Sequence, residues 1–298
     1  HKEHVINLAV GGGQPNISQE ILKNIRIFCP SLQEQTAIAN YLDHKTAQID
    51  ALISKKEKLI ELLNEERTAL INQAVTKGLN PDVPMKDSGI EWIGEVPEHW
   101  EIKKLKYISR IKTGYTPLTS ENENFSDEGI VWVKPDNLNG FVPIIDSKDR
   151  ITESGLKSQN IIPKNSVLLC CIGSIGKFGV AGIDLVTNQQ INSITFNDLL
   201  DPEYGKYLIS CAENEFIVNS NGNVVRILNT FSLGNILFSV PPLDEQRKIG
   251  LFVARKIKEF EYTNSVLVKE IDLLKEYRTA LISEVVTGKV DVRDEKVF

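Results

Sequence analysis

Slid against itself by 211 residues, the chain matches in two patches without a gap. Pro30–Leu42 (PSLQEQTAIANYL) meets Pro241–Val253 (PPLDEQRKIGLFV), and Glu66–Thr76 (ERTALINQAVT) meets Tyr277–Thr287 (YRTALISEVVT). Two patches in one register mark an internal duplication, which restricts the fold more than any composition does. The same offset carries Gly11 onto Gly222 and Asn24-Ile25 onto Asn235-Ile236, so the unit starts ahead of the patches. The expectation is a unit of about 211 residues, present as the end of one copy and all of a second. A chain opening at His1 rather than Met reads as a piece of something longer.

Each copy carries a helical stripe. In the second, Val253, Ile257, Phe260, Asn264, Leu267, Ile271, Leu274, Arg278, Leu281 and Val285 step alternately by four and three. The first gives Leu42, Thr46, Ile49, Ile53, Lys56, Ile60, Leu63, Arg67, Leu70 and Ala74, patchier but with Arg67 where Arg278 stands. This is a heptad seam, narrower than the apolar face of a helix lying on a globular core. No Gly or Pro interrupts 42–77 or 251–287, while Pro before and Gly78 or Gly288 after supply start and stop signals. The spacing predicts continuous helices over 32–77 and 243–287 that pack on each other as a coiled coil, with Ile53, Ile60 and Leu63 facing Leu267, Ile271 or Leu274. Arg67 and Arg278 would set the register, with partners among the flanking acids.

Between the helices the pattern changes. Residues 78–88 are rich in turn formers, and 89–240 read as short strands separated by Gly, Pro, Asn and Asp. Candidate strands are 130–133, 140–145, 166–171, 179–183, 193–196 and 231–240. Helix is expected in part of 101–111 and over 202–219, where Tyr204, Tyr207, Leu208 and Cys211 share a face.

Charge matters next. The net charge of −6 argues mildly against a polyanionic partner, yet Lys103–Lys112 holds five basic groups and no acid. That run, with Tyr107 inside it, suits a phosphate backbone as well as a solvated helix face. Gly173-Ser-Ile-Gly-Lys177 lacks the upstream Gly and the Ser/Thr of a Walker loop. It is either a Gly turn offering Ser174 and Lys177 to a phosphate or a plain hairpin turn. Asn188-Gln-Gln190 either satisfies backbone groups in a turn or reads adenine. Cys29, Cys170, Cys171 and Cys211 include no C-x-x-C and read as reduced core residues of a cytoplasmic protein. His1, His4, His44 and His99 form no metal-ligand pattern. No apolar run reaches the roughly 18 residues of a membrane-spanning helix, and no hydrolase, methyltransferase or nuclease motif stands out.

P-x-L-x-E-Q-x-x-I before each helix (Pro30–Ile38, Pro241–Ile249), R-T-A-L-I near each helix end, and Gly94-Glu-Val-Pro-Glu-His-Trp100 followed by Lys103-Lys-Leu together carry a family likeness. The segments Lys112–Pro117, Gly173–Lys177, Thr187–Gln190 and that around Gly222 follow in the same order. The chain resembles the specificity subunit of type I restriction–modification enzymes, lacking most of its first target recognition domain. The resemblance implies an α+β fold, a mixed α/β target recognition domain flanked by two long helices forming an antiparallel coiled coil. It divides the chain into 1–30 (tail of a first recognition domain), 31–79 (helical region), 80–240 (complete recognition domain) and 241–298 (second helical region). Implied partners are double-stranded DNA, methyltransferase subunits and restriction subunits, with no catalysis, cofactor, metal or membrane. The alternative is a coiled-coil scaffold that reads no DNA. Candidate DNA contacts are Lys103, Lys104, Lys106, Lys112, Thr113, Tyr115, Lys134, Ser174, Lys177 and Arg226. Seam candidates are Ile49, Ile53, Ile60, Leu63, Arg67, Leu70, Ile257, Phe260, Leu267, Ile271, Leu274, Arg278 and Leu281. In the tail, Ile25, Ile27 and Phe28 are expected to reach the helices.

Overall fold

The computed structural model describes residues 17–25, 29–156, 161–222 and 224–295, so Gly11, Ile27 and Phe28 lie outside the described residues. In chain order, α1 (Gln19–Lys23) and α2 (Leu32–Lys77) precede β1 (Met85–Asp87), β2 (Glu95–Pro97) and β3 (Glu101–Lys104). A short α3 (Leu105–Ile108) leads into β4 (Ser109–Thr113), β5 (Phe125–Val133), β6 (Pro143–Ile144) and β7 (Arg150–Ile151). After α4 (Glu153–Leu156) come β8 (Val167–Cys170), β9 (Phe178–Ala181), β10 (Val186–Thr187) and β11 (Ile191–Phe196). The chain closes with α5 (Pro202–Ser210), α6 (Glu213–Val218), α7 (Thr230–Asn235), β12 (Leu237–Val240) and α8 (Leu243–Val286). Two compact units result, one of residues 1–60 with 265–298, the other of 61–264, and each long helix contributes to both.

In the first unit α2 starts on a capping box. Ser31 Oγ accepts from the Glu34 backbone N–H at 3.4 Å, while the Glu34 carboxylate accepts from Ser31 N–H at 3.0 Å and Oγ–H at 2.8 Å. These bonds hold the Glu34 carboxyl below its usual range. Ile49 and Ile53 of α2 share a buried cluster with Ile271, Leu281 and Val285 of α8, and Val292 closes its end. Ile60 and Leu274 pack at its edge. The helices run antiparallel here: Arg278 Nε lies 2.9 Å from Asp50 Oδ1, and Lys56 Nζ lies 2.7 Å from Glu270 Oε2. Both pairs are partly solvated, each contributing about 1 kcal/mol or less, so they fix register more than stability.

In the second unit Leu63, Arg67 and Leu70 are half-buried, as are Phe260 and Asn264, whose amide donates to Asn64 Oδ1 at 3.2 Å. Ile71, Ala74 and Val75 join Ile249, Val253 and Ile257 in the main core, with Trp100, Tyr204, Tyr207, Phe216 and Phe238. The Tyr204 hydroxyl donates to the Val75 carbonyl at 2.9 Å, tying α5 to α2. Gln246, from the repeated E-Q motif, is fully buried. Its amide donates to the carbonyls of Leu199 and Pro241 at 3.0 and 2.8 Å and accepts from Asp201 N–H at 2.8 Å. The domain between the long helices is thereby stitched to the start of α8. Arg67 departs from expectation, since among the described residues it makes no ion pair. It instead lines a cleft with Phe141, Phe178, Ser210, Glu213 and Asn214, because the domain between the long helices covers this part of α2.

The domain between the two long helices is built on a five-stranded sheet in the order β4-β11-β8-β9-β6, with a three-stranded sheet β10-β5-β7 and the pairs β12-β3 and β1-β2. Three sequence expectations change. The run 101–111 is strand, one short helical turn and strand, because β3 pairs with β12 and β4 with β11. The expected strand 231–240 begins as α7, capped by Asn229 Oδ1 accepting from Ser232 N–H at 2.8 Å, and only then becomes β12. The 202–219 helix breaks at Cys211–Ala212 into α5 and α6.

Cys170 and Cys171 are buried and Cys211 half-buried, but Cys29 is exposed ahead of α2 rather than in the core. Burial pushes the Cys171 and Cys211 thiols up to about 12. Native alkylation at pH 8 should therefore modify Cys29 quickly and the other three only with unfolding, as counted by mass spectrometry. A folded pKa above the unfolded one stabilises below about pH 9 and ceases to as pH rises toward 12, so the chain should lose stability across that alkaline window.

Candidate nucleic-acid interface

Four loops meet at one end of the central sheet. They are the turn after β4 (114–117), the β8–β9 hairpin (171–177), the turn between β10 and β11 (188–190) and the segment 221–228. Backbone bonds join them: Gly114 N–H to Ile191 O at 3.0 Å, Tyr115 N–H to Thr187 O at 2.8 Å, Cys171 N–H to Gln190 O at 2.8 Å, and Leu228 N–H to Cys171 O at 2.9 Å. Gly114 permits the closest approach. A Cβ there would lie 2.3 Å from the carbonyl oxygens of Thr187 and Asn188, a distance no side chain tolerates.

Asn192, which the sequence did not single out, is the buried centre of this cluster. Its Oδ1 accepts from the Thr113 hydroxyl at 2.7 Å, and its amide donates to Leu228 O at 3.3 Å. Asn192→Val should leave both partners unpaired and cost about 1–3 kcal/mol. The checks are a lower denaturation midpoint and faster proteolysis within 221–228. The only prior signal was an Asn inside an apolar strand, which marks a buried polar group without saying what it holds.

The hairpin turns on Gly173 and Gly176, at φ of 79° and 94°, and leaves Ser174 and Lys177 exposed. Asn188 is buried and takes the structural role, its amide donating to Gln190 Oε1 at 3.0 Å and its Oδ1 accepting from Gln190 N–H at 3.2 Å. Gln189, at the tip, is exposed and accepts a hydrogen bond from the Thr116 hydroxyl.

The ten candidate contacts divide. Lys112, Thr113, Tyr115, Ser174, Lys177 and Arg226 lie on the joined loops or at the strand ends feeding them. Lys112, Lys177 and Arg226 form no ion pair among the described residues. Lys134 adjoins the cluster but is committed, 2.9 Å from Asp149 Oδ1 and over the Trp132 ring at 4.6 Å. Lys103, Lys104 and Lys106 sit around α3, at the far end of β11, where the Asn197 amide binds Tyr107 O at 2.9 Å. The six residues of β11 put that end roughly 17 Å from the loops. Lys103 also pairs with Glu101, and Lys106 binds Asn235 Oδ1 at 3.0 Å. Rigid loops with unpaired cations around exposed amide and hydroxyl groups can hold a polyanion and read hydrogen-bonding edges. No group of three or more His, Cys, Asp or Glu side chains suited to a metal ion exists among the described residues. Likewise no described helix is long and apolar enough to cross a membrane.

Residues 1–62 and 97–273 match the family model of the type I restriction modification DNA specificity domain. The chain is 28% identical to the type I restriction enzyme MjaVIII specificity subunit of Methanocaldococcus jannaschii, over 95% of this chain and 66% of that protein. It is 27% identical to the type I restriction enzyme HindI specificity subunit of Haemophilus influenzae, over 96% of this chain and 63% of that one. It thus spans slightly less than two thirds of these relatives. The fold is similar to a chain solved in work on complex assembly and conformational transition of the type I R-M system, with TM-score 0.75 and 17% identity over 94% of this chain and 66% of that one. The HsdS subunit from Thermoanaerobacter tengcongensis matches at TM-score 0.55 and 19% identity, over 97% of this chain and 67% of that one.

Proposed function

The chain belongs to the type I restriction modification DNA specificity family, and from that premise we propose that it reads double-stranded DNA through the loop end of its central sheet. The observation that supports this is the convergence of Lys112, Lys177 and Arg226, all without ion pairs, around loops locked by Gly114 and Asn192. Residues 80–240 form the reading domain. Lys112, Thr113, Tyr115, Ser174, Lys177 and Arg226 are its contacts, whereas Lys103, Lys104 and Lys106 face elsewhere. Its overall acidity is compatible with this role, because affinity depends on local phosphate contacts and on partner subunits that enclose the duplex.

In this reading the chain positions chemistry that other subunits perform. The paired helices hold methyltransferase subunits, restriction subunits join them, and the complex works in the cytoplasm with no cofactor on this chain. A gel shift of the chain with its methyltransferase subunit, on a pool of random duplexes, tests the reading. Retention of one sequence class supports it. Assembly with the methyltransferase but no sequence preference is the outcome of a scaffold, and it would remove the reading role.

A further inference from the structure

We infer that Gln189 is a specificity-determining residue that presents hydrogen-bond donors to a guanine in the major groove. The inference rests on the DNA-reading role proposed above. Gln189 sits at the tip of a turn that three neighbours immobilise. Asn188 caps the turn, its own N–H donating to Val133 O at 3.0 Å, and Ile191 N–H closes it on Asn188 O at 3.2 Å. Thr116, on the adjoining loop, donates its hydroxyl to Gln189 Oε1. Thr116 is itself placed by the Gly114 approach, so the amide is held before any ligand arrives.

That bond decides what the amide can read. A glutamine with both ends available matches adenine, accepting from N6 and donating to N7. Here Thr116 takes up a lone pair of the oxygen, and the NH₂, which only donates, is the group left to meet a base. Guanine alone offers two adjacent acceptors, N7 and O6, in the major groove. Ser174, Lys177 and Arg226 on the neighbouring loops would then anchor the flanking phosphates, which fixes the register in which one base edge meets Gln189.

Selection from a randomised duplex pool tests this, with the full chain assembled with its methyltransferase subunit and read by sequencing the bound DNA. The parent should select guanine at one position. Gln189→Ala should lose that preference by about tenfold or more while the other positions and the melting temperature stay as they are. Thr116→Val frees Oε1 and should move the same position toward adenine. An unchanged consensus in Gln189→Ala overturns the inference and leaves the reading role standing. So does a uniform loss of binding, or a parent preference for adenine at the affected position. A parent that selects no sequence at all overturns the reading role and this inference with it.

Discussion

Replacing Ile271 with aspartate should abolish most of the helix pairing in the unit of residues 1–60 and 265–298. Ile271 is 6% exposed and packs with Ile49, Ile53, Leu281 and Val285. Truncating such a side chain costs about 2–5 kcal/mol, and placing a carboxylate there adds a desolvation penalty of comparable size. Since a whole domain is stabilised by about 5–15 kcal/mol, the sum removes most of the margin. Leu273, two residues on but 53% exposed, supplies the control, and Leu273→Asp should stay within about 0.5 kcal/mol of the parent. Denaturant midpoints followed at 222 nm read both. Equal midpoints for Ile271→Asp and Leu273→Asp would mean that the stripe is not the interface.

The second large effect is on DNA. Removing Lys112, Lys177 and Arg226 together should reduce the slope of log affinity against log salt by about 3 and weaken binding roughly 10²–10³-fold at 0.1 M salt. The loss should be nearly uniform across sequences, because the proposed role of these groups is to hold phosphates, and phosphate contacts carry no base information. Lys103→Ala with Lys106→Ala, at the other end of β11, should leave the slope unchanged. If the slope instead follows Lys103 and Lys106, the DNA face lies around α3 and the loop end is not the reader.

The helices were legible because a stripe of ten positions accumulates signal that no single substitution erases. The predicted 32–77 and 243–287 correspond to observed helices over Leu32–Lys77 and Leu243–Val286. The domain between the helices offers no such accumulation. Its strands run from two to nine residues, and Lys103–Lys112 reads as a basic helix face until β12 and β11, both distant in sequence, take it up as strands. Motif order located the loop segments, while the bonds that join them were invisible. Gly114 shows its role only against the carbonyls of Thr187 and Asn188, and Asn192 only against Thr113 and Leu228. Arg67 and Arg278 occupy equivalent stripe positions, yet the domain packed over one gives them different neighbours.

The register of the helix pair and the spacing of the repeat agree, and that agreement has an ancestry in it. Shifting Asp50 forward by one repeat gives Glu261, and shifting Arg278 back gives Arg67, so the Asp50–Arg278 pair maps onto another acid and arginine. A helix whose antiparallel partner is its own duplicate is what two copies of a single-repeat protein would form about a two-fold axis. Gene fusion would have turned that homodimer contact into an intrachain one. The two arginines differ in this chain: Arg278 has an acid partner, whereas Arg67 faces the cleft beside Phe141 and Phe178. In such a dimer one mutation would be felt twice, whereas in this chain Arg67 and Arg278 are two independent positions, each open to separate selection.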